Sequence, residues 1–214
     1  MPEASDIPHR LAIPGAKPGQ SATPPCVEIC LFDDRPRAAF AADYAELLAT
    51  FIAESASGLY WYKTNTMKRA KAIGETATEQ VQALLLSPEF EADGLIGLEQ
   101  HSGPDADTYA VPSWKLFSEQ VDYPSEGRFN RTFLRLCLPY EAADDPDAVF
   151  NLMRRCAEAS QFHCGHAGLS WYWNTGDTAM EALMATNIGL LLRHPCMGYS
   201  DPLSFQPFIG DGLI

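Results

Sequence analysis

From Cys26 to Phe32 the chain alternates: Val27, Ile29 and Leu31 are apolar, with Glu28 and Cys30 between them. That period of two predicts a strand with one face in a core. After the turn signal "DDRPR", the period changes to that of a helix. In "AAFAADYAELLATFIAESA", Phe40, Tyr44, Leu47, Leu48, Phe51 and Ile52 fall on one stripe. The segment "SGLYWYKT" then reads as a second strand, rich in aromatics. Two short helical segments follow it, the second being "TEQVQALLLSPEF", which should stop near Pro88.

The same order returns about a hundred residues later. "FLRLCLP" predicts a strand with Leu134, Leu136 and Leu138 on one face. Asp145 and Pro146 then suit a helix cap and first helical residue, ahead of a stripe of Val149, Leu152, Met153 and Cys156. A second aromatic strand, "GLSWYWNT", follows. Val27 to Leu31 matches Leu134 to Leu138 at an offset of 107, and Gly58 to Tyr62 matches Gly168 to Tyr172 at an offset of 110. These matches predict an internal strand-helix-strand-helix duplication over about 26–86 and 130–192. The expected fold is α+β: two pseudo-equivalent halves in one compact domain with an antiparallel or mixed sheet, and Gly58 and Gly168 at equivalent strand starts.

Between the halves, "GLIGLEQ" and "TYAVPSWKLF" read as one or two strands, joined by polar turns at 102–107 and 123–127. Residues 1–25 lack any apolar period and are rich in Pro, Gly, Ala and Ser, so a flexible arm is expected ahead of a single domain over 26–214. Thr178 and Glu181 have the spacing of a capping box for a last helix, and a Pro- and Gly-rich tail follows.

Composition narrows the function. At 214 residues and 46% hydrophobic, the chain can bury a sizeable core. No run reaches the roughly 18 apolar residues of a membrane span, and the start lacks the basic and apolar blocks of a signal peptide. A cytoplasmic protein is expected. The net charge of −13 disfavours nucleic acid and anionic membrane as partners, while it can steer the protein towards a basic partner. Six cysteines without a C-x-x-C pair suggest reduced core residues.

The fragment "HCGHAGLSWYWNTGD", His163 to Asp177, is the densest in candidate chemistry. His163, Cys164 and His166 offer at most three donors on a short loop and no marked fourth, so no metal or other cofactor is expected. The repeat reads Trp61 and Trp171 as equivalent packing residues pointing to one face, with Tyr60, Tyr62, Tyr172 and Trp173 on the other. No nucleotide-binding loop, nucleophile elbow or zinc-protease signature is present, and no catalytic residue is nominated. The acidic clusters containing Asp105 and Asp107, and Glu141, Asp144, Asp145 and Asp147, read either as solvated turns and a helix start or as a negative face for a basic partner. Those six residues and Trp173 are the candidate partner-binding set.

Through "HCGHAGLSWYWNTGD", the strand-helix-aromatic strand order and the acidic character, the chain resembles the type VI secretion immunity family over roughly residues 26–210. That family was long filed as a domain of unknown function. The resemblance implies a non-enzymatic antidote that binds a cognate secreted toxin, often a nuclease, and it supplies no catalytic residues. Self-association into a homodimer stays compatible with the sequence. The alternative is a small enzyme or ligand-binding protein with a pocket between the halves, lined by Tyr62, Tyr172, Trp173 and His166.

Overall fold

The computed structural model describes residues 25–171, apart from 56–57, 65, 89, 91–94, 107–109, 124–126, 160–161 and 163. The first strand, β1, runs Pro25–Asp33, and α1 is Arg37–Ser55. Then come β2 (Trp61–Thr64), β3 (Lys71–Ala72), α2 (Ala77–Leu85), β4 (Leu95–His101), β5 (Ser113–Tyr123) and β6 (Gly127–Pro139). A 3-10 helix at Tyr140–Asp144 leads into α3 (Pro146–Ala159), and β7 (Cys164–Trp171) is the last described element. Of the predicted arm over 1–25 only Pro25 is described, as the first residue of β1; the rest of the arm and the capping box at Thr178 and Glu181 lie outside the described residues.

The seven strands form one sheet, in the order β3-β2-β4-β5-β6-β1-β7, and every described pairing is antiparallel. The α+β class is thus the one expected. Directly opposed residues share a face. Ile29 and Leu31 of β1 therefore lie with Leu134 and Leu136 of β6, Trp114 and Leu116 of β5, and Leu98 of β4, and all three helices pack on this face. The α1 stripe forms the centre of that core: Phe40, Tyr44, Leu47, Leu48 and Phe51 are fully buried. Phe40 meets both Tyr44 and Phe90 edge to face, the geometry that the ring quadrupoles favour.

Two large polar side chains on the helix-facing side, Arg37 and Trp114, are satisfied by directed bonds. Arg37, buried at the start of α1, donates to the Ser118 hydroxyl at 2.9 Å, the Ser118 carbonyl at 2.9 Å and the Phe90 carbonyl at 3.2 Å. Trp114 Nε1 donates to Gln100 Oε1 at 2.9 Å across the β4–β5 pair. A buried donor or acceptor without such a partner costs about 1–3 kcal/mol, so these contacts keep the core specific.

Several sequence expectations change. The first of the two helical segments after β2 is instead the two-residue strand β3, too short for any period to reveal. β6 starts at Gly127, not near Phe133, because β5 and β6 continue pairing as a long hairpin. Glu28 and Cys30 do not face solvent: β1 is buried on both faces.

The two stretches matched by the repeat are placed differently. β1 and β6 are direct neighbours, and Ile29 sits opposite Leu136, its partner at the 107-residue offset. β7 flanks β1, but β2 does not flank β6 in return, because β4 and β5 stand between them. Gly58 packs so closely on Pro112 that an added Cβ would lie 2.6 Å from its Cγ, whereas nothing lies within 4 Å of one added at Gly168. The two glycines are not equivalent strand starts: Gly58 lies three residues before β2, whereas Gly168 lies inside β7 opposite Glu28.

Candidate functional site

The C-terminal end of β6 feeds the 3-10 helix and then α3, which crosses back over β1 towards β7. Asp145 accepts a hydrogen bond from the Ala148 N–H at 3.0 Å, and Pro146 is the first helical residue, the cap that the sequence predicts. The stripe of α3 lies against the core, with Leu152 and Cys156 buried and Val149 and Met153 partly buried. Burial pushes the Cys156 thiol up to about 12, with the Glu54 charge adding to it, so it stays protonated.

Between α3 and the β1–β7 pair lies an open groove of about 670 Å³, lined by Val27, Val149, Phe150, Met153, Ala167 and Leu169. Phe150 is 64% exposed, more than any other large apolar side chain among the described residues. Ala143 and Pro146 close the end nearest the 3-10 helix. Glu141, Asp144, Asp145 and Asp147 are exposed on that 3-10 helix and the first turn of α3. No Lys or Arg occurs from Tyr140 to Met153. The next two residues of interest, Arg154 and Arg155, are engaged by Glu158 and Glu54, each at 2.6 Å. The groove is therefore apolar at its centre and negative at one end.

The candidate set divides accordingly. Glu141, Asp144, Asp145 and Asp147 are exposed and flank the groove's lining residues Ala143 and Pro146 along the chain, and the Asp145 carboxylate also caps α3. Asp105 is exposed on the β4–β5 connection. The strand register puts that connection at the same end of the sheet, but Asp105 acts on His101. Burial lowers the His101 pKa, against the opposing pull of Glu99 and Asp105. Asp107 and Trp173 lie outside the described residues.

Behind β7, on the face away from the helices, sits a buried polar cluster. Arg135 Nε donates to Glu28 Oε2, and Ser170 Oγ donates to the same oxygen at 3.3 Å. His166 Nε2 is 3.6 Å from Glu28 Oε1, so its ring lies with this cluster, on the face away from the groove. Burial opposes the Arg135 charge, but Cys137, Glu28 and Cys26 outweigh it and hold the guanidinium well above its ordinary value. The Cys26 thiol is pushed well up, first by burial and then by Cys137. Burial also raises Cys137, yet its hydrogen bond with Cys26 and the Arg135 charge prevail and lower it. Cys26, Cys30, Cys137 and Cys156 are buried and form no disulfide, as reduced core cysteines should.

Trp61 and Tyr62 point to opposite faces as expected, but the pocket expected between the halves needs correction. Tyr62 packs on the helix-side core, while Trp61, on the other face, donates from Nε1 to the Gly103 carbonyl at 2.8 Å. Tyr62 and His166 belong to β2 and β7, five strand steps apart, about 24 Å at ~4.8 Å per step, and the register sets them on opposite faces. They cannot line one pocket. Among the described residues no group of three or more His, Cys, Asp or Glu is arranged to hold a metal ion, and His163 lies outside them.

The sequence reading missed Phe150 and the Glu28–Arg135 pair. Phe150 had a signal, a large aromatic next to the α3 stripe on an otherwise polar face. Glu28 and Arg135 also had one: opposite charges at positions that the repeat equates.

No family model matches the chain, and no curated protein matches it. Among solved structures, it is similar to the Pseudomonas aeruginosa T6SS protein PA0821, with a TM-score of 0.63 at 16% identity. The match covers 85% of this chain and 53% of that one, so this chain spans about half the length of its structural neighbour. At that identity the likeness is one of fold. No helix among the described residues is long and apolar enough to cross a membrane.

Proposed function

We propose that this chain is an immunity protein of a type VI secretion system, which binds a cognate secreted toxin and neutralises it by stoichiometric, non-covalent inhibition. The observation that carries the reading is the groove beside α3, where exposed Phe150 follows, within ten residues of chain, four exposed carboxylates that flank the lining residues Ala143 and Pro146. Protein-binding surfaces place an aromatic anchor in an apolar centre with a polar rim, and the rim charges set partner choice and association rate. The fold shared with a protein titled as T6SS supports the system. A net charge of −13 supports a basic target, and a nuclease, whose substrate groove must attract phosphates, is the toxin class with that character. The antidote acts in the cytoplasm of the producing cell and performs no catalysis of its own.

The test is co-expression with the protein encoded by the neighbouring reading frame, followed by co-purification at low and high salt. Rescue of growth with a one-to-one complex that associates more slowly as salt rises is expected. Toxicity unrelieved by this chain, with no complex at either salt, would sink the reading for that pair.

A further inference from the structure

The groove also constrains what it can hold. Its walls are largely apolar side chains of α3, β1 and β7, and the chain that reaches it through Ala143 and Pro146, from Glu141 to Asp147, carries only acidic ionisable side chains among the described residues. A second copy of this chain is a poor occupant. In a symmetric pair each acidic border would approach its own twin, on subunits that each carry −13. Nucleic acid is repelled for the same reason.

Resting on the reading of the chain as a toxin antidote, we propose that the groove receives a basic amphipathic segment of the toxin. An apolar side chain of that segment seats against Phe150, Met153 and Leu169, and its flanking Lys or Arg residues lie along Glu141, Asp144 and Asp147. Asp145 contributes charge but stays bound to the Ala148 N–H. Because Arg154 and Arg155 are held by Glu158 and Glu54, the border keeps its charge for the partner. The two parts have separable kinetic roles: the carboxylates speed association, and the apolar seat slows dissociation.

Two variants test this against the protein encoded by the neighbouring reading frame, each first checked for an unchanged melting temperature. Phe150→Ala should speed dissociation about tenfold or more. The triple variant Glu141→Lys, Asp144→Lys and Asp147→Lys should slow association by about tenfold at low salt, and the deficit should shrink at high salt. If the unaltered chain rescues growth and both variants bind with unchanged rates, the groove assignment is overturned while the antidote reading stands. If the unaltered chain neither binds nor rescues, the antidote reading fails for that pair, and a labelled helical peptide of Leu and Lys, compared with its Leu and Glu counterpart, decides the groove. Preferential binding of the Leu–Lys peptide that Phe150→Ala abolishes supports the groove. Equal binding of both peptides, or of neither, overturns it.

Discussion

Helices α1 and α3 occupy the same place in their strand-helix-strand units, lie on the same face of the sheet and touch each other, yet they bury very different shares of themselves. Nine of the nineteen residues of α1 are buried, among them Phe40, Tyr44, Phe51, Ala41, Ala45, Leu47 and Leu48. In α3, only Leu152 and Cys156 of fourteen are. The reason lies in the sheet. α1 packs over its centre, where β5, β6 and β1 present Trp114, Leu116, Leu134, Leu136 and Ile29. α3 lies towards the edge, over β1 and β7, where Ala167 offers little side chain and a groove remains. A shared pattern therefore specifies that a helix packs on the sheet, while its position across the sheet decides how much apolar surface is left for a partner.

Truncating an aromatic on each helix should break this equivalence most plainly. Phe51→Ala leaves a cavity in the α1 core and should cost about 3–5 kcal/mol, whereas Phe150→Ala on α3 should change stability by no more than about 0.5 kcal/mol. Urea unfolding of the two variants measures both. Equal losses would mean that α3 is as much a core element as α1.

A loss of similar size is expected where the two units meet. Glu28 and Arg135 are equivalent in the repeat and form a buried ion pair across β1 and β6. Glu28→Ala removes the carboxylate and should cost about 3–5 kcal/mol, while a double change of Glu28→Met and Arg135→Leu should recover much of that. If the double variant is as unstable as the single one, the pair does more than balance charge.

How legible the molecule is depends on which neighbours a residue needs. The α1 stripe, the β1 alternation and the Asp145–Pro146 helix start follow from contacts a few residues apart, and the chain displays them. Alternation distinguishes two faces of β1 and places only that of Val27, Ile29 and Leu31 in a core, without deciding whether the face of Glu28 and Cys30 is open. Their burial is decided by β6 and β7, over a hundred residues away. The groove leaves no pattern, being the space between elements whose crossing is set by the sheet order. The repeat itself misleads at the aromatic strands: β2 pairs with β4 and β7 with β1, so Trp61 and Tyr62 have surroundings that the matched segment does not share.

The paired glycines sharpen that last difference at a smaller scale. Gly58→Ala forces a Cβ against the Pro112 ring, whose atoms cannot swing aside, and should cost about 1–3 kcal/mol. Gly168→Ala meets open space and should be neutral or stabilise by up to about 1 kcal/mol, through the lower freedom of the unfolded chain. Thermal melts of the two variants that shift equally would mean that the two glycines have alike surroundings after all.

The smallest effect separates what the acidic run does for α3 from what it does for a partner. Asp145→Ala deletes the acceptor for the Ala148 N–H and should cost about 1 kcal/mol. Asp145→Asn keeps an oxygen in the same place, so the cap and the stability should persist to within a few tenths of a kcal/mol, while one of the four carboxylates at the groove is removed. If the Asn variant melts like the unaltered chain yet associates more slowly with the toxin at low salt, the residue has two separable roles, one in the helix and one at the surface. If the Asn variant loses as much stability as the Ala variant, the charge itself steadies the start of α3 through the helix dipole, and the acidic run is explained there by folding alone.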